Sequence, residues 1–179
     1  MSDSTQGVAA PGVVYPFQRD EVHFGFDIAP GVNAHLQRAA TLVSHREDSL
    51  HALNDAYRAA PDQLEVLVAL FKFHFYQGHT EKAESLVFEA LEKASRQAGF
   101  DADWRRLTPD CADWSDPRGA GRFYLYSLKA LAFIRLRQDE AAQAAAILDK
   151  MAYLDPADLV GANVIRDLLE GVDEVQDDG

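Results

Sequence analysis

A single cysteine, Cys111, stands in a chain of 179 residues. One thiol closes no intrachain disulfide, so nothing here asks for an oxidising compartment. No apolar run approaches the ~18–20 residues that a membrane-crossing helix needs, so no membrane partner is expected. The opening residues Met1-Ser2-Asp3-Ser4-Thr5-Gln6 lack a cationic stretch followed by an apolar block, and a cytoplasmic protein is expected. Positive charge is also short. Lys and Arg number 17 against 29 Asp and Glu, a net −12, which argues against nucleic acid because phosphate neutralisation needs a basic face. Signature sequences are missing too: no GxxxxGK[ST], GxSxG or HExxH occurs. The six histidines, His23, His35, His45, His51, His74 and His79, share no helical face at ligand spacing, so no metal and no cofactor is expected. No pair of carboxylates is placed for acid–base work, so the chain is not expected to be an enzyme.

Hydrophobic residues make up 47% of the chain, enough for a real core. Residues 1–30 hold Pro11, Gly12, Pro16, Gly25 and Pro30 and no helical period, and read as an extended or flexible arm. Within it, Val13-Val14-Tyr15 and Val22-His23-Phe24-Gly25-Phe26 are apolar enough to lie against the body. Helical striping then begins: Leu36, Ala39, Ala40 and Val43 recur at i, i+3, i+4 and i+7. Ser44 and Glu47 have the spacing of a capping box for a second helix, which Pro61 stops. Asp62 opens a third helix, apolar nearly all round, which is expected at the centre of the domain. A fourth starts at Thr80, a fifth spans 120–137, and a sixth follows Asp139. Asp155-Pro156 reads as the start of a last helix over 157–171, ahead of a disordered acidic tail over 172–179.

The stripes recur. Leu67, Leu70, Gly78, Ala83, Val87 and Ala90 reappear 61 residues later as Leu128, Leu131, Asp139, Ala144, Leu148 and Met151. A step of 34 back from Ala83, Val87 and Ala90 gives Ser49, Leu53 and Ala56. The excess of 61 over 34 implies a 27-residue insertion, about 98–124, rich in Asp and holding both Trp residues. This pattern resembles the tetratricopeptide repeat, a helix-turn-helix unit of about 34 residues. Leu70, Gly78, Ala83, Val87 and Ala90 carry the likeness in a unit at 64–97. Leu131, Ala132, Ala144, Leu148 and Pro156 carry it at 125–158, and Leu36, Leu53, Ala56 and Pro61 at 30–63. Phe71 and Gln37 depart from it where a small residue is usual, and Ser95 where Pro is. The resemblance implies an all-α fold over 31–171, a right-handed stack of antiparallel helix pairs (a TPR-like solenoid) with an insertion and a C-terminal capping helix.

The same resemblance implies that the first helix of each unit lines a concave groove. Arg38, Lys72, Phe75, Tyr76, Tyr126, Lys129, Phe133 and Arg137 would then bind a partner. Aromatic residues with Arg are the usual anchors of recognition surfaces. The leading expectation is a non-catalytic protein–protein interaction module (an adaptor, chaperone or assembly accessory) taking a peptide or helix of a partner. Its small acidic character is similar to bacterial secretion chaperones in length and charge alone. A second expectation is a self-associating scaffold, a homodimer through the helix at 157–171. A third is a ligand-binding protein or enzyme that uses Trp104, Arg105, Arg106 and Trp114 in the insertion, gripping an anion by charge and stacking. The uneven charge bears on this: residues 93–137 hold nine cations and five acids, so that stretch is +4 and the remainder −16. A cationic patch there requires the fold to gather these side chains.

Overall fold

Proline and left-handed turns set where this chain reverses. The computed structural model describes residues 28–42 and 44–177, and every regular element among them is helical. Seven α-helices occur there: α1 Pro30–Thr41, α2 Arg46–Ala59, α3 Leu64–Tyr76, α4 Thr80–Ala98, α5 Ala120–Arg137, α6 Ala141–Leu154 and α7 Asn163–Asp177. Two single 3-10 turns, Trp104–Arg106 and Pro109–Cys111, lie between α4 and α5. Each helix packs on the next in chain order. The predicted arm, up to residue 27, lies outside the described residues.

The helix bounds follow the sequence offsets. α2, α4 and α6 begin at 46, 80 and 141, and α1 and α3 begin at 30 and 64. The turns repeat as well. Gly78 (φ 78°) and Asp139 (φ 60°) take the left-handed conformation at equivalent positions. In the first turn the Gly78 and His79 amides donate to Phe75 and His74 carbonyls at 3.0 and 2.9 Å. In the second the Asp139 and Glu140 amides donate to Leu136 and Arg135 at 3.2 and 2.9 Å. Such bonds satisfy the last carbonyls of a helix while turning the chain back. Glycine adopts this geometry without steric cost and Asp tolerates it, which explains the residue types found.

The greater length of α4 than of α2 and α6 has a covalent cause. α2 and α6 end before Pro61 and Pro156, whose rings hold Ala60 and Asp155 out of helical geometry. The matching position in α4 is Ser95, and α4 runs on to Ala98, where Gly99 (φ 81°) ends it. Ser95 spends its hydroxyl inside the helix, donating to the Glu92 carbonyl at 2.8 Å.

Small residues sit where paired helices touch. Ala83, Ala90 and Ala144 are fully or almost fully buried, and the equivalent Ser49 bridges α2 to α1 by donating to the Ala39 carbonyl at 3.0 Å. The most enclosed helix is α5 rather than α3. Every residue from 124 to 134 on α5 is buried, and this helix touches α3, α4, α6 and α7. α5 gains cover because the 99–119 segment folds onto it: Trp114 and Phe100 meet Tyr124, with centroids 6.4 and 5.0 Å away. Tyr124 donates its hydroxyl to the Ala102 carbonyl at 2.7 Å, and Lys150 on α6 donates to Leu107 at 2.9 Å. The aspartates of that segment shape it locally. Asp101, Asp103, Asp113 and Asp116 each accept a backbone N–H two residues ahead.

Several expected helix starts shift. α2 follows His45, and the Ser44 hydroxyl meets the His45 ring at 3.2 Å instead of capping. α3 follows Gln63, whose side chain bonds Glu65, rather than Asp62. The last helix, expected over 157–171, begins at Asn163, because Asp158 turns left-handed (φ 50°) and takes the Ala162 and Asn163 amides on its carboxylate. Its far end extends through residues 172–177, which were expected to be a disordered tail.

Candidate functional site

An aromatic seam joins α3 to α5. Phe75 meets Phe133 with centroids 5.1 Å apart and Tyr76 at 5.8 Å, and Phe71 stacks on Tyr126 at 6.4 Å. The spacing of each helix places these rings on neighbouring turns of one stripe. Phe71, Tyr126 and Phe133 are buried, Lys72 and Phe75 half-buried, and Tyr76 is 39% exposed at the end of α3. Arg137 stands at the equivalent end of α5 and is exposed, as is Arg38 on α1. Of the eight residues expected in a groove, Phe75, Tyr76, Tyr126 and Phe133 are therefore brought together in the seam.

Lys129 is placed differently from an open groove cation. It is 1% exposed, and its Nζ donates to the Val160 carbonyl at 2.9 Å and lies 5.7 Å from the Tyr126 ring. The chain between α6 and α7 produces this. Asp155, itself buried, accepts the Val160 amide at 3.1 Å, and Gly161 passes with positive φ close over the lysine. A Cβ built on Gly161 would stand 3.6 Å from Lys129 Nζ, so the backbone closes over the ammonium. Sequence spacing locates Lys129 on the stripe but cannot show the loop folding back over it.

In the insertion, Trp114 and the two arginines have separate tasks. Trp114 is 6% exposed, donates its indole N–H to the Pro109 carbonyl at 3.1 Å and packs on Phe100 at 5.2 Å. Arg105 lies over Trp104 at 4.4 Å and pairs with Asp103, while Arg106 pairs with Asp101 at 2.9 Å. These exposed arginines are engaged by the aspartates of their own turn. The other cations of 93–137 are spread over several elements. Lys93 pairs with Glu89 at 2.7 Å, and Arg135 holds Glu84 and Glu140. Arg122 donates to the Leu159 carbonyl. The fold thus disperses the local positive charge instead of gathering it.

Two titratable groups are shifted in ways spacing alone did not reveal. Cys111 is exposed, and hydrogen bonds from the Thr108 hydroxyl and amide, both 3.4 Å from Sγ, hold its thiol below the ordinary value. Asp110 opposes this but is outweighed. His74 is buried at the end of α3, with its Nδ1 3.4 Å from that of His79. Burial first, then His79 and Lys82, push His74 below its ordinary 6.5. Among the described residues no three His, Cys, Asp or Glu side chains are grouped to hold a metal.

A histidine whose folded-state pKa is depressed contributes stability that is present above 6.5 and lost as pH falls below it, because the unfolded chain then binds more protons. The melting temperature should fall between about pH 7 and pH 5, above the carboxylate range. His74→Gln should flatten that fall, as read by circular dichroism at each pH. An unchanged slope in the variant would remove His74 as its source.

No protein-family profile matches the chain, and no solved structure does either. No helix among the described residues is long and apolar enough to cross a membrane. Among curated proteins the chain is similar to one from Azotobacter chroococcum mcd 1, described as an uncharacterized 19.8 kDa protein in the nifW 5′ region. The two are 33% identical over 119 residues, covering 65% of this chain and 67% of the relative.

Proposed function

The chain belongs to one family with the Azotobacter chroococcum protein of the nifW 5′ region, and on that premise we propose that it is a non-catalytic protein–protein interaction module. It is a TPR-like, right-handed stack of antiparallel helix pairs whose first helices present a concave face to a peptide or helix of a partner. The observation that carries this reading is the recurrence, 61 residues apart, of the α4 and α6 starts, the left-handed turn residues before them and the turn hydrogen bonds. Helical repeats that stack in this manner build extended binding surfaces from equivalent positions. Tyr76 and Arg137 are such equivalents, both exposed beside the aromatic seam. An aromatic and an arginine there suit a partner segment with apolar anchors and acidic flanks. The engagement of Arg105 and Arg106 by their own aspartates speaks against a catalytic or anion-gripping insertion.

The relative's coding region lies 5′ of nifW, so the nifW product is the first protein to test as partner, followed by native-host lysate. Wild-type protein on a resin is expected to retain a specific partner, and Tyr76→Glu with Arg137→Glu to lose it with the melting temperature unchanged. Unaltered capture by that double variant would exclude this face. A self-associating scaffold is the second reading, favoured by two exposed apolar residues, Leu159 (45%) in the α6–α7 connection and Val164 (37%) in the first turn of α7. Light scattering that shows a monomer at all concentrations would remove it.

A further inference from the structure

We propose that His74 and His79 form a zinc site at the turn between α3 and α4, each giving its Nδ1 as a ligand while water fills the remaining positions. The inference goes beyond the interaction reading and stands without it. Two residues five apart lie on different faces of a continuous helix, which is why spacing alone suggests no metal here. The turn supplies what spacing lacks. Gly78 goes left-handed (φ 78°) and the His79 amide donates to the His74 carbonyl at 2.9 Å, so residue 79 folds back beside the last turn of α3. The rings turn their Nδ1 edges toward each other: the centroids lie 5.7 Å apart, but the two Nδ1 atoms only 3.4 Å.

The matching turn between α5 and α6 gives the comparison. Arg135 and Glu140 occupy the places of His74 and His79, 61 residues on, and Arg135 Nη1 meets Glu140 Oε2 at 3.2 Å. Opposite charge holds that pair. Two imidazoles are like bases, and at 3.4 Å they stand beyond the ~2.7–3.2 Å of a normal N–H···O bond. A cation that accepts a lone pair from each ring supplies the attraction that the ion pair supplies in the other turn.

The separation also selects the ion. Nitrogen ligands of zinc lie at ~2.0–2.1 Å, and at the tetrahedral angle of ~109° two of them stand ~3.3–3.4 Å apart. Neighbouring corners of a square plane would set them ~2.8–3.0 Å apart, and a linear pair ~4.0–4.2 Å. The 3.4 Å between the two Nδ1 atoms fits the tetrahedral case, which zinc prefers. His74 is buried, its ring edge-on to Phe73 at 5.5 Å, while His79 is exposed and opens the pair to solvent. Lys82, in the first turn of α4, opposes positive charge at His74. With that opposition and only two protein ligands, the ion is exchangeable rather than a structural centre of four ligands.

Zinc titration of the tag-free, full-length chain tests this, at about pH 7.5 where imidazole is mostly its neutral, ligating form. Calorimetry should show one zinc ion bound per chain, and the melting temperature should rise with zinc concentration. His79→Gln changes an exposed side chain and keeps the fold, as circular dichroism would verify. It should weaken zinc binding on the order of tenfold or more, and His74→Gln should do the same. His51→Gln, on the exposed side of α2, should leave the binding unchanged. Imidazole nitrogen NMR adds a direct reading: zinc should move the Nδ1 signals of His74 and His79 before those of any other histidine. No binding at millimolar zinc would overturn the proposal and leave two rings merely in contact. Binding that survives His79→Gln and His74→Gln would overturn it too, making the metal an adventitious ion only.

Discussion

Trp114→Ala is expected to cost about 3–5 kcal/mol of stability, the range for emptying a buried large aromatic site. Three contributions add. The indole fills the space between Phe100 and Tyr124, its N–H ties back to Pro109, and its ring lies 3.5 Å from where a Cβ on Gly121 would stand. The last contact matters because Gly121 is in the first turn of α5, so Trp114 joins the loop to the start of the central helix as well as to Tyr124. Urea unfolding followed by far-ultraviolet circular dichroism should show a lower midpoint, with proteolysis appearing first in 101–118. Trp104→Ala is the comparison. That ring is half-buried and partly covered by Arg105, so its loss should cost about 1 kcal/mol. If the two variants were equally mild, the segment would not be a packed part of the domain, and a ligand-gripping role for its tryptophans would regain ground.

Lys129→Ala is the second large effect, at about 2–4 kcal/mol. Alanine removes a long buried stem from α5 and leaves the Val160 carbonyl without this donor under a closed backbone. Lys129→Met separates the two contributions. The thioether fills most of the stem's volume while removing an ammonium from a dry site, so the change should stay within about 1.5 kcal/mol in either direction. Thermal and urea unfolding of both variants measure the difference. A mild Lys129→Ala would mean that the ammonium faces solvent often enough to act on a partner, as its place in the stripe first suggested. The expected severity instead makes Lys129 the post that holds the α6–α7 connection, and Gly161→Ala should disturb the same junction through its positive φ.

Much of the architecture is legible in the residues because its causes are local. Pro61 and Pro156 end α2 and α6 through covalent ring geometry, and Ser95, lacking that ring, lets α4 continue. Gly78 and Asp139 reverse the chain at matching places because few residue types accept left-handed backbone. Helix starts were less legible. Ser44, Asp62 and Asp139 are all good capping residues, yet the starts fall one or two residues later, since backbone turn bonds satisfy the free amides before any side chain does. The loop at 155–162 misled for a related reason: Asp155-Pro156 has the composition of a helix start, but the Asp155 carboxylate is already committed to the Val160 amide.

Helical character and the 61-residue recurrence of the apolar stripes and turns were determined by sequence alone, because they depend on backbone preferences and on apolar spacing within a few turns. Tertiary structure alone decided that α5 is the enclosed helix, that Lys129 is sealed beneath Gly161, and that Arg122 reaches the Leu159 carbonyl. Each of those outcomes depends on contacts between residues far apart in the chain, or on which way a loop folds, and no local period records either.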